Sequence, residues 1–219
     1  MKKIILDSYT TTILDAKDSI INVQQFLYDV YIKEMGWKFV SNNPSGIRTV
    51  TSDGNKKIII DDYDQYSIWV GTFYNDQLVA CGRIVNRDTA GLLEIERYGI
   101  SNSLRKKICV SSIPNLVELN RSAIVRSHRN SIIWPCLLYF AFKYCEIMGL
   151  CAIATTAYNK VDEFHNAIEF HQVKGQNFFY HDQDEKSVNV YFADASNVKQ
   201  ISLNLEVMLK NKKIGLINI

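Results

Sequence analysis

The run Leu116-Val117-Glu118-Leu119-Asn120-Arg121-Ser122-Ala123-Ile124-Val125 alternates apolar and polar residues as a strand does, while carrying a carboxylate and a guanidinium among its apolar side chains. Strand periodicity places Glu118, Asn120 and Ser122 on one face and Arg121 on the other. A second run, Ile58-Ile59-Ile60-Asp61-Asp62-Tyr63-Asp64, drives an apolar segment straight into three carboxylates. Between the two lies a strand-like stretch that ends in Arg83. Asp and Arg are seldom buried unless paired, because desolvating an unpaired charge costs roughly several kcal/mol. The carboxylates therefore need cationic or amide partners, and Arg83 and Arg121 are the natural ones. A half-exposed surface strand would give the same alternation. Two such clusters in one chain point instead to a site.

A chain of 219 residues with 47% hydrophobic content can bury a substantial core, and residues 1–219 read as a single domain. A net charge of +2 argues against a nucleic-acid partner. Met1-Lys2-Lys3-Ile4-Ile5-Leu6 begins like a secretory leader, but Asp7 and the polar run from Ser8 to Thr12 end the apolar stretch too early for one. The most apolar later stretch, Ile132 to Leu150, is broken by Lys143 and Glu146 and has too little uninterrupted apolar length to span a bilayer. Cys81, Cys109, Cys136, Cys145 and Cys151 sit mostly in apolar runs and lack paired metal-type spacing. His128, His165, His171 and His181 form no two-histidine zinc motif. The expectation is a soluble, cytoplasmic protein with reduced thiols and no structural metal.

From Ser19 to Glu34, Ile20, Val23, Phe26, Leu27, Val30 and Tyr31 recur at helical spacing, which predicts an amphipathic helix ended by Gly36. The turn clusters Asn42-Asn43-Pro44-Ser45-Gly46 and Ser52-Asp53-Gly54-Asn55 make Val40 to Lys57 a long loop, of the kind that often serves a binding site. Ser67 to Tyr74 and Gln77 to Val85 predict an antiparallel pair joined at Asn75-Asp76. Thr89 to Ser112 alternates Glu94, Glu96 and Arg97 with Leu93, Ile95 and Tyr98 and predicts only mixed structure. Ser131 to Met148 predicts a helix with Pro135 in its first turn and Gly149 as its cap. Cys151 to Ala157 then reads as a buried strand, Val161 to His171 as a helix, Gly175 to Tyr180 with Ser187 to Phe192 as a strand pair, and Val198 to Lys210 as a closing helix. The sum is one sheet covered by helices, an α/β or α+β arrangement. No Gly-rich loop follows a strand, which argues against nucleotide cofactors held in the Rossmann or P-loop manner.

This order is similar to the fold of the GCN5-related N-acetyltransferases, a single mixed, largely antiparallel sheet flanked by helices. Val30-Tyr31-Ile32-Lys33-Glu34-Met35-Gly36-Trp37, Asp61-Asp62-Tyr63-Asp64, Cys81-Gly82-Arg83-Ile84 and Glu118-Leu119-Asn120-Arg121 resemble, in order, the motifs of acyl-homoserine-lactone synthases. The related long-chain N-acyl amino acid synthases look alike here, and the resemblance covers roughly residues 20 to 160. It implies that Tyr31 and Trp37 line the amine entrance, that Asp61, Asp64 and Arg83 form an ionic network, and that Glu118 and Arg121 sit on the central strand. Glu118, Arg121 and Arg83 are then the catalytic candidates, and Tyr31, Trp37, Asp61 and Asp64 the substrate-binding ones. Leu27 stands where the lactone synthases carry an arginine, and Tyr31 replaces their usual phenylalanine. The segment between Trp37 and Asp61 is also longer than the family pattern. These departures bear on recognition of S-adenosylmethionine more than on acyl transfer.

The implied reaction moves a fatty acyl group from a thioester to the amine of an amino-acid-like acceptor, giving an N-acyl amino acid or a homoserine-lactone signal. Glu118 serves as general base, directly or through a water, if burial raises its pKa toward neutrality, and otherwise orients the amine. The same charges also read as an ion-pair network fixing strand register, and Tyr31 and Trp37 as core packing. No tightly bound cofactor is expected. A pyrophosphate-binding loop at a helix N-terminus usually contains glycine; Arg126-Ser127-His128-Arg129-Asn130-Ser131 occupies that place without one. This favours a phosphopantetheine thioester carried on acyl carrier protein over coenzyme A. The carrier's acidic surface would meet Arg105, Lys106, Lys107, Arg126 and Arg129, charges that equally suit a solvated face. An acyl pocket between the Glu118 strand and the Ser131 helix would be lined by Ile132, Leu137 and Phe140, which also read as core. Two further readings stay open: a catalytically silent module of this fold that binds a lipid or a carrier protein, and an acetyl-coenzyme A-dependent N-acetyltransferase.

Overall fold

The computed structural model describes residues 3–6, 8–15, 17–98, 102–109, 115–129, 131–156, 159–179 and 187–211. The chain opens with a hairpin, β1 (Lys3–Leu6) and β2 (Tyr9–Leu14), in the segment whose sequence showed only an interrupted leader-like run. Helix α1 (Lys17–Leu27) passes into a π-helical segment, Tyr28–Glu34, so the amphipathic stretch is not one regular helix. In the wider turn the Met35 N–H donates to the Val30 carbonyl at 3.0 Å, five residues back. Val30 and Tyr31 are both buried by it. The stretch expected to be a long loop contains a strand, β3 (Arg48–Thr51), which pairs with β4 (Lys57–Ile60) as a separate two-stranded ribbon. The turn clusters on either side of β3 hid it, because four residues are too few to show an alternation.

Strands β5 (Ser67–Tyr74) and β6 (Gln77–Asn86) form the predicted hairpin. Asn75 and Asp76 both take positive φ, 48° and 62°, the two-residue turn whose twist matches that of paired strands. The mixed stretch resolves into a short helix α2 (Arg87–Ala90), a 3₁₀ turn at Glu94–Arg97 and helix α3 (Asn102–Cys109). Strand β7 (Leu116–Ile124), helix α4 (Ile133–Met148), strand β8 (Cys151–Thr156), helix α5 (Asn159–Ala167), strands β9 (Gln172–Phe178) and β10 (Val188–Ala193) and helix α6 (Ala195–Lys210) complete the order. Pro135 lies in the first turn of α4, and Gly149 caps it at φ 64°. Among the described residues, no helix is long and apolar enough to cross a membrane.

The eight strands of the main sheet run in the order β1-β2-β5-β6-β7-β8-β10-β9. Every pair is antiparallel except β7 with β8. Helix α4 is apolar nearly all round because it is sandwiched: Leu137, Phe140 and Phe142 meet Val70, Ile84 and Leu119 of the sheet, and α6 packs Ile201 and Leu205 into the same cluster. The opposite face holds two smaller apolar clusters. One joins Val23, Leu27 and Tyr31 of the first helix to Trp69, Cys81 and Ala123. The other joins Tyr63, Leu93, Ile95 and Tyr98 to Val85 and Ile153. The β7–β8 pairing runs only from Leu116↔Cys151 to Leu119↔Ala154, after which β7 continues to Ile124 on β6 alone. The sheet therefore splits along this seam.

Asp76 adopts a left-handed conformation that glycine takes without a Cβ penalty. Asp76→Gly is expected to raise unfolding stability by about 0.5–1 kcal/mol, read from the urea midpoint with an unchanged m-value.

Candidate active site

The register between β6 and β7 jumps where the charged residues lie. Cys81 faces Ala123 and Arg83 faces Asn120, so Arg121 and Ser122 together oppose Gly82. This is a β-bulge, and its extra residue, Arg121, sits at φ 50°, a left-handed conformation that costs an ordinary residue about 1–2 kcal/mol. The bulge overturns the simple alternation read from the sequence. Arg121 turns to the face of Glu118 and Asn120 rather than the opposite one, and beyond it Ala123 occupies that face. On the other side of the sheet, Gly82 lies against Leu137 so closely that an added Cβ would stand 3.3 Å from it.

The bulge brings Arg121 to carboxylates that Arg83 also reaches. Arg83, 2% exposed, donates through Nη1 to Asp61 at 2.6 Å and Asp64 at 3.1 Å, through Nη2 to Glu94 at 3.3 Å and through Nε to Asn120 at 2.8 Å. Its guanidinium is also flanked by the rings of Trp69 and Tyr63, at 5.3 and 5.9 Å. Arg121 Nη2 donates to Asp61 at 2.7 Å and to Glu94 at 2.8 Å. The Asn120 amide donates to Glu94 at 2.9 Å, and the Gln24 amide of α1 reaches Asp64 at 2.8 Å. Asp61 also accepts from the Tyr63 backbone N–H at 2.9 Å, which folds the turn after β4 back onto Arg83. Glu118, 1% exposed, accepts from the Ile95 N–H at 3.2 Å.

Four carboxyl groups thus share an interior with two guanidiniums. Asp61 and Glu94 each meet both arginines and match their charge. Burial alone would raise Asp61, but the Arg121 and Arg83 guanidiniums hold it below the usual carboxylate range. The remaining two acids are surplus. Burial and the neighbouring Asp61 push Asp64 up to about 6, and burial with the neighbouring Glu94 pushes Glu118 up to about 8. A carboxyl that exchanges its proton near neutrality, next to the point where β7 leaves β8, is suited to proton transfer.

Tyr31 donates its hydroxyl to the Ser122 carbonyl at the bulge at 3.1 Å. Trp37, 41% exposed, stacks on Tyr31 with ring centroids 4.4 Å apart. The aromatic pair therefore connects the surface to the bulge. Of the residues expected around an acyl chain, Leu137 and Phe140 are packed in the main core, whereas Ile132 packs with Cys136 and Leu209. Of the basic residues, Arg126 and Lys106 are exposed, and the side chains of Arg105 and Lys107 lie outside the described residues. Arg129 is committed to an ion pair with Glu34 at 2.6 Å and donates to the Ile124 carbonyl, which tethers the β7–α4 turn to the π-helical segment. Glu94 and Gln24 complete the site without standing out in the sequence. Leu93-Glu94-Ile95 is a charge between apolar residues, the same signal that marked Asp61, but it lies in a stretch without strand or helix periodicity. Gln24 sits on a helix and carries no charge to draw notice.

The sequence matches no protein-family model, and no curated protein matches it in sequence. The fold is that of the GCN5-related acyltransferases. The structure is similar to that of FeeM, an N-acyl amino acid synthase from uncultured soil microbes, with a TM-score of 0.63 at 13% identity, over 91% of this chain and 98% of that one. It is also similar to the acyl-homoserine-lactone synthase LasI, with a TM-score of 0.56 at 14% identity, over 85% of this chain and 90% of that one. A third, BjaI, a coenzyme A-dependent acyl-homoserine-lactone synthase solved with S-adenosylmethionine and isopentyl-coenzyme A, has a TM-score of 0.55 at 13% identity, over 87% of this chain and 83% of that one.

Arg83→Met leaves the buried Asp61 and Glu94 and the half-buried Asp64 short of a partner and is expected to cost about 3–5 kcal/mol in urea unfolding. Glu118 gives a different signature. Its proton is held more tightly in the folded chain, at about 8 against an ordinary 4.5, so it lowers stability as pH rises through that window. Glu118→Gln keeps the neutral form at every pH. Its melting temperature relative to the unaltered protein is expected to rise between pH 6.5 and 8.5, above the window in which Asp64 titrates.

Proposed function

We propose that the protein is an N-acyltransferase that moves a fatty acyl group from a phosphopantetheine thioester to the amine of an amino-acid-like acceptor. The observation that carries this reading is the surplus buried carboxyl of Glu118, held by the charge cluster beside the seam where β7 parts from β8. The similarity in fold to an N-acyl amino acid synthase and to lactone synthases supports it.

In this reading the amine nitrogen attacks the thioester carbonyl, the C–N bond forms, and the C–S bond breaks as the tetrahedral intermediate collapses. The proton shed by nitrogen goes to Glu118, directly or through a water, and Glu118 returns that proton to the departing thiolate, which leaves as the thiol. The oxyanion needs hydrogen-bond donors, and the backbone amides of β7 past Leu119, released from pairing with β8, can supply them. Arg83 and Arg121 touch no reacting atom in this scheme. They position Asp61, Glu94 and Asn120 and thereby modulate the proton affinity that burial gives Glu118. Tyr31 and Trp37 form the acceptor's entrance, and the acyl chain follows the β7–β8 seam toward Leu137 and Phe140. Phosphopantetheine is common to coenzyme A and acyl carrier protein. A carrier would meet exposed cations such as Lys106 or Arg126, and Arg129, being paired to Glu34, would contribute little.

The test is acylation of an amino acid supplied with octanoyl-carrier protein or octanoyl-coenzyme A, read by mass spectrometry. An N-octanoyl product is expected, and Glu118→Gln is expected to reduce turnover by about 10²–10⁴-fold with the fold intact by circular dichroism. Ligand binding without any acylated amine, from folded protein given donor and acceptors, would replace this reading with that of a binding module.

A further inference from the structure

The aromatic entrance opens on a groove of about 580 Å³ between the chain that follows the π-helical segment and the start of β3. Its walls divide by chemistry. Trp37, Phe39, Val40 and Ile47 present apolar surface, with Trp37 and Val40 exposed, and Lys38 and Arg48 supply two cations. Among the described residues, no carboxylate lines it. Lys38 has no ion-pair partner among the described residues. Arg48 is steadied by donating to the Gly46 carbonyl at 2.7 Å, and only a loose 3.7 Å approach links it to Asp62. Asp62, behind Gly46, is engaged by Arg97 at 3.1 Å.

The groove is built rather than incidental. The Asn43 side chain ties its two walls together, donating to the carbonyls of Val40 and Ile47 and accepting from the Ile47 N–H and the Ser45 hydroxyl. Gly46, at φ 65°, lets the loop lie against Asp62, where a Cβ would fall 2.4 Å from the carboxylate oxygen. The Asp62 N–H donates to the Ser45 carbonyl at 3.2 Å. The groove wall is therefore fastened to the Asp61–Asp64 turn.

We infer that this groove binds the acceptor as an amino acid with an apolar side chain, its carboxylate held by Lys38 and Arg48 and its side chain against Trp37, Phe39 and Val40. This deepens the acyltransferase reading and rests on it for the fate of the amine. The charges select against S-adenosylmethionine, whose sulfonium would enter a site with two cations and no lining carboxylate to offset them. They also select against amines that lack a carboxylate, which would leave the cations without a counter-charge.

The experiment compares phenylalanine, phenethylamine and S-adenosylmethionine as acceptors for octanoyl transfer, using the unaltered protein, Lys38→Glu/Arg48→Glu and the milder Lys38→Gln/Arg48→Gln. Phenylalanine is expected to be preferred. Each double variant is expected to raise its KM by about tenfold or more, the charge reversal most, while donor KM and melting temperature stay unchanged. Added salt should raise the phenylalanine KM of the unaltered protein alone. Equal use of phenethylamine, preference for S-adenosylmethionine, or an unmoved KM in both variants would overturn the inference. If nothing is acylated, the acyltransferase reading falls, and calorimetry with N-octanoylphenylalanine reads the groove by itself. Binding that the charge reversal weakens keeps the groove assignment, and no binding overturns it.

Discussion

A guanidinium in the middle of a sheet is tolerated only when acceptors meet its N–H groups, and Arg83 obtains them from three separate segments: the turn after β4, the 3₁₀ turn at Glu94 and strand β7. The first two of those segments have no strand pairing to the main sheet, whereas β7 is paired on both sides. The turn after β4 belongs to a two-stranded ribbon that shares no strand pairing with the main sheet, and Glu94–Arg97 makes no ladder at all. Apolar packing through Tyr63, Leu93 and Ile95 holds them against the sheet, and charge ties them to one another. Because a charge left unpaired in such an interior is costly, the position of each segment is fixed by the demand of the others.

The surplus in that arrangement carries chemistry. Two arginines can balance two carboxylates, and the site contains four. Burial first, and then the excess charge, raise the proton affinity of Asp64 and, further from the arginines' direct reach, of Glu118. Two apolar clusters on the same face keep water from relaxing the imbalance. The β-bulge adds the second element, since it swings Arg121 into the cluster and leaves β7 without β8 at the same place. Structural and catalytic readings of the charged residues are therefore not rivals: the network that fixes register also sets the base.

Much of this was legible in the sequence, for identifiable reasons. Asp61, Asp64, Arg83, Glu118 and Arg121 stood out because a charge inside an apolar run has few structural excuses, and the ion pairs between them follow from the cost of desolvation. The β5–β6 hairpin, α4 and its glycine cap were marked by strong local chemistry. The facing of Arg121 was not legible, because a bulge is a relation between two strands and one strand's letters do not contain it. Glu94 was hidden in a stretch whose short turns have no period to read, and β3 by its length. The π-helical segment keeps enough helical spacing that Tyr28–Glu34 passes for a continuation of α1. The groove beside Trp37 depends on a loop fastened by one asparagine side chain, which no periodicity announces.

Proton transfer by Glu118 requires that the interior hold a carboxyl that titrates near neutrality. The most direct measurement is a ¹³C NMR titration of the glutamate side-chain carboxyl carbons, with Glu118→Gln identifying the resonance. A Glu118 midpoint near 8 is predicted, well above an ordinary carboxyl, moving down when Glu94 is changed to Gln. A midpoint in the ordinary carboxylate range would contradict the account, because Glu118 would then be a spectator ion with no special claim to the proton of an attacking amine.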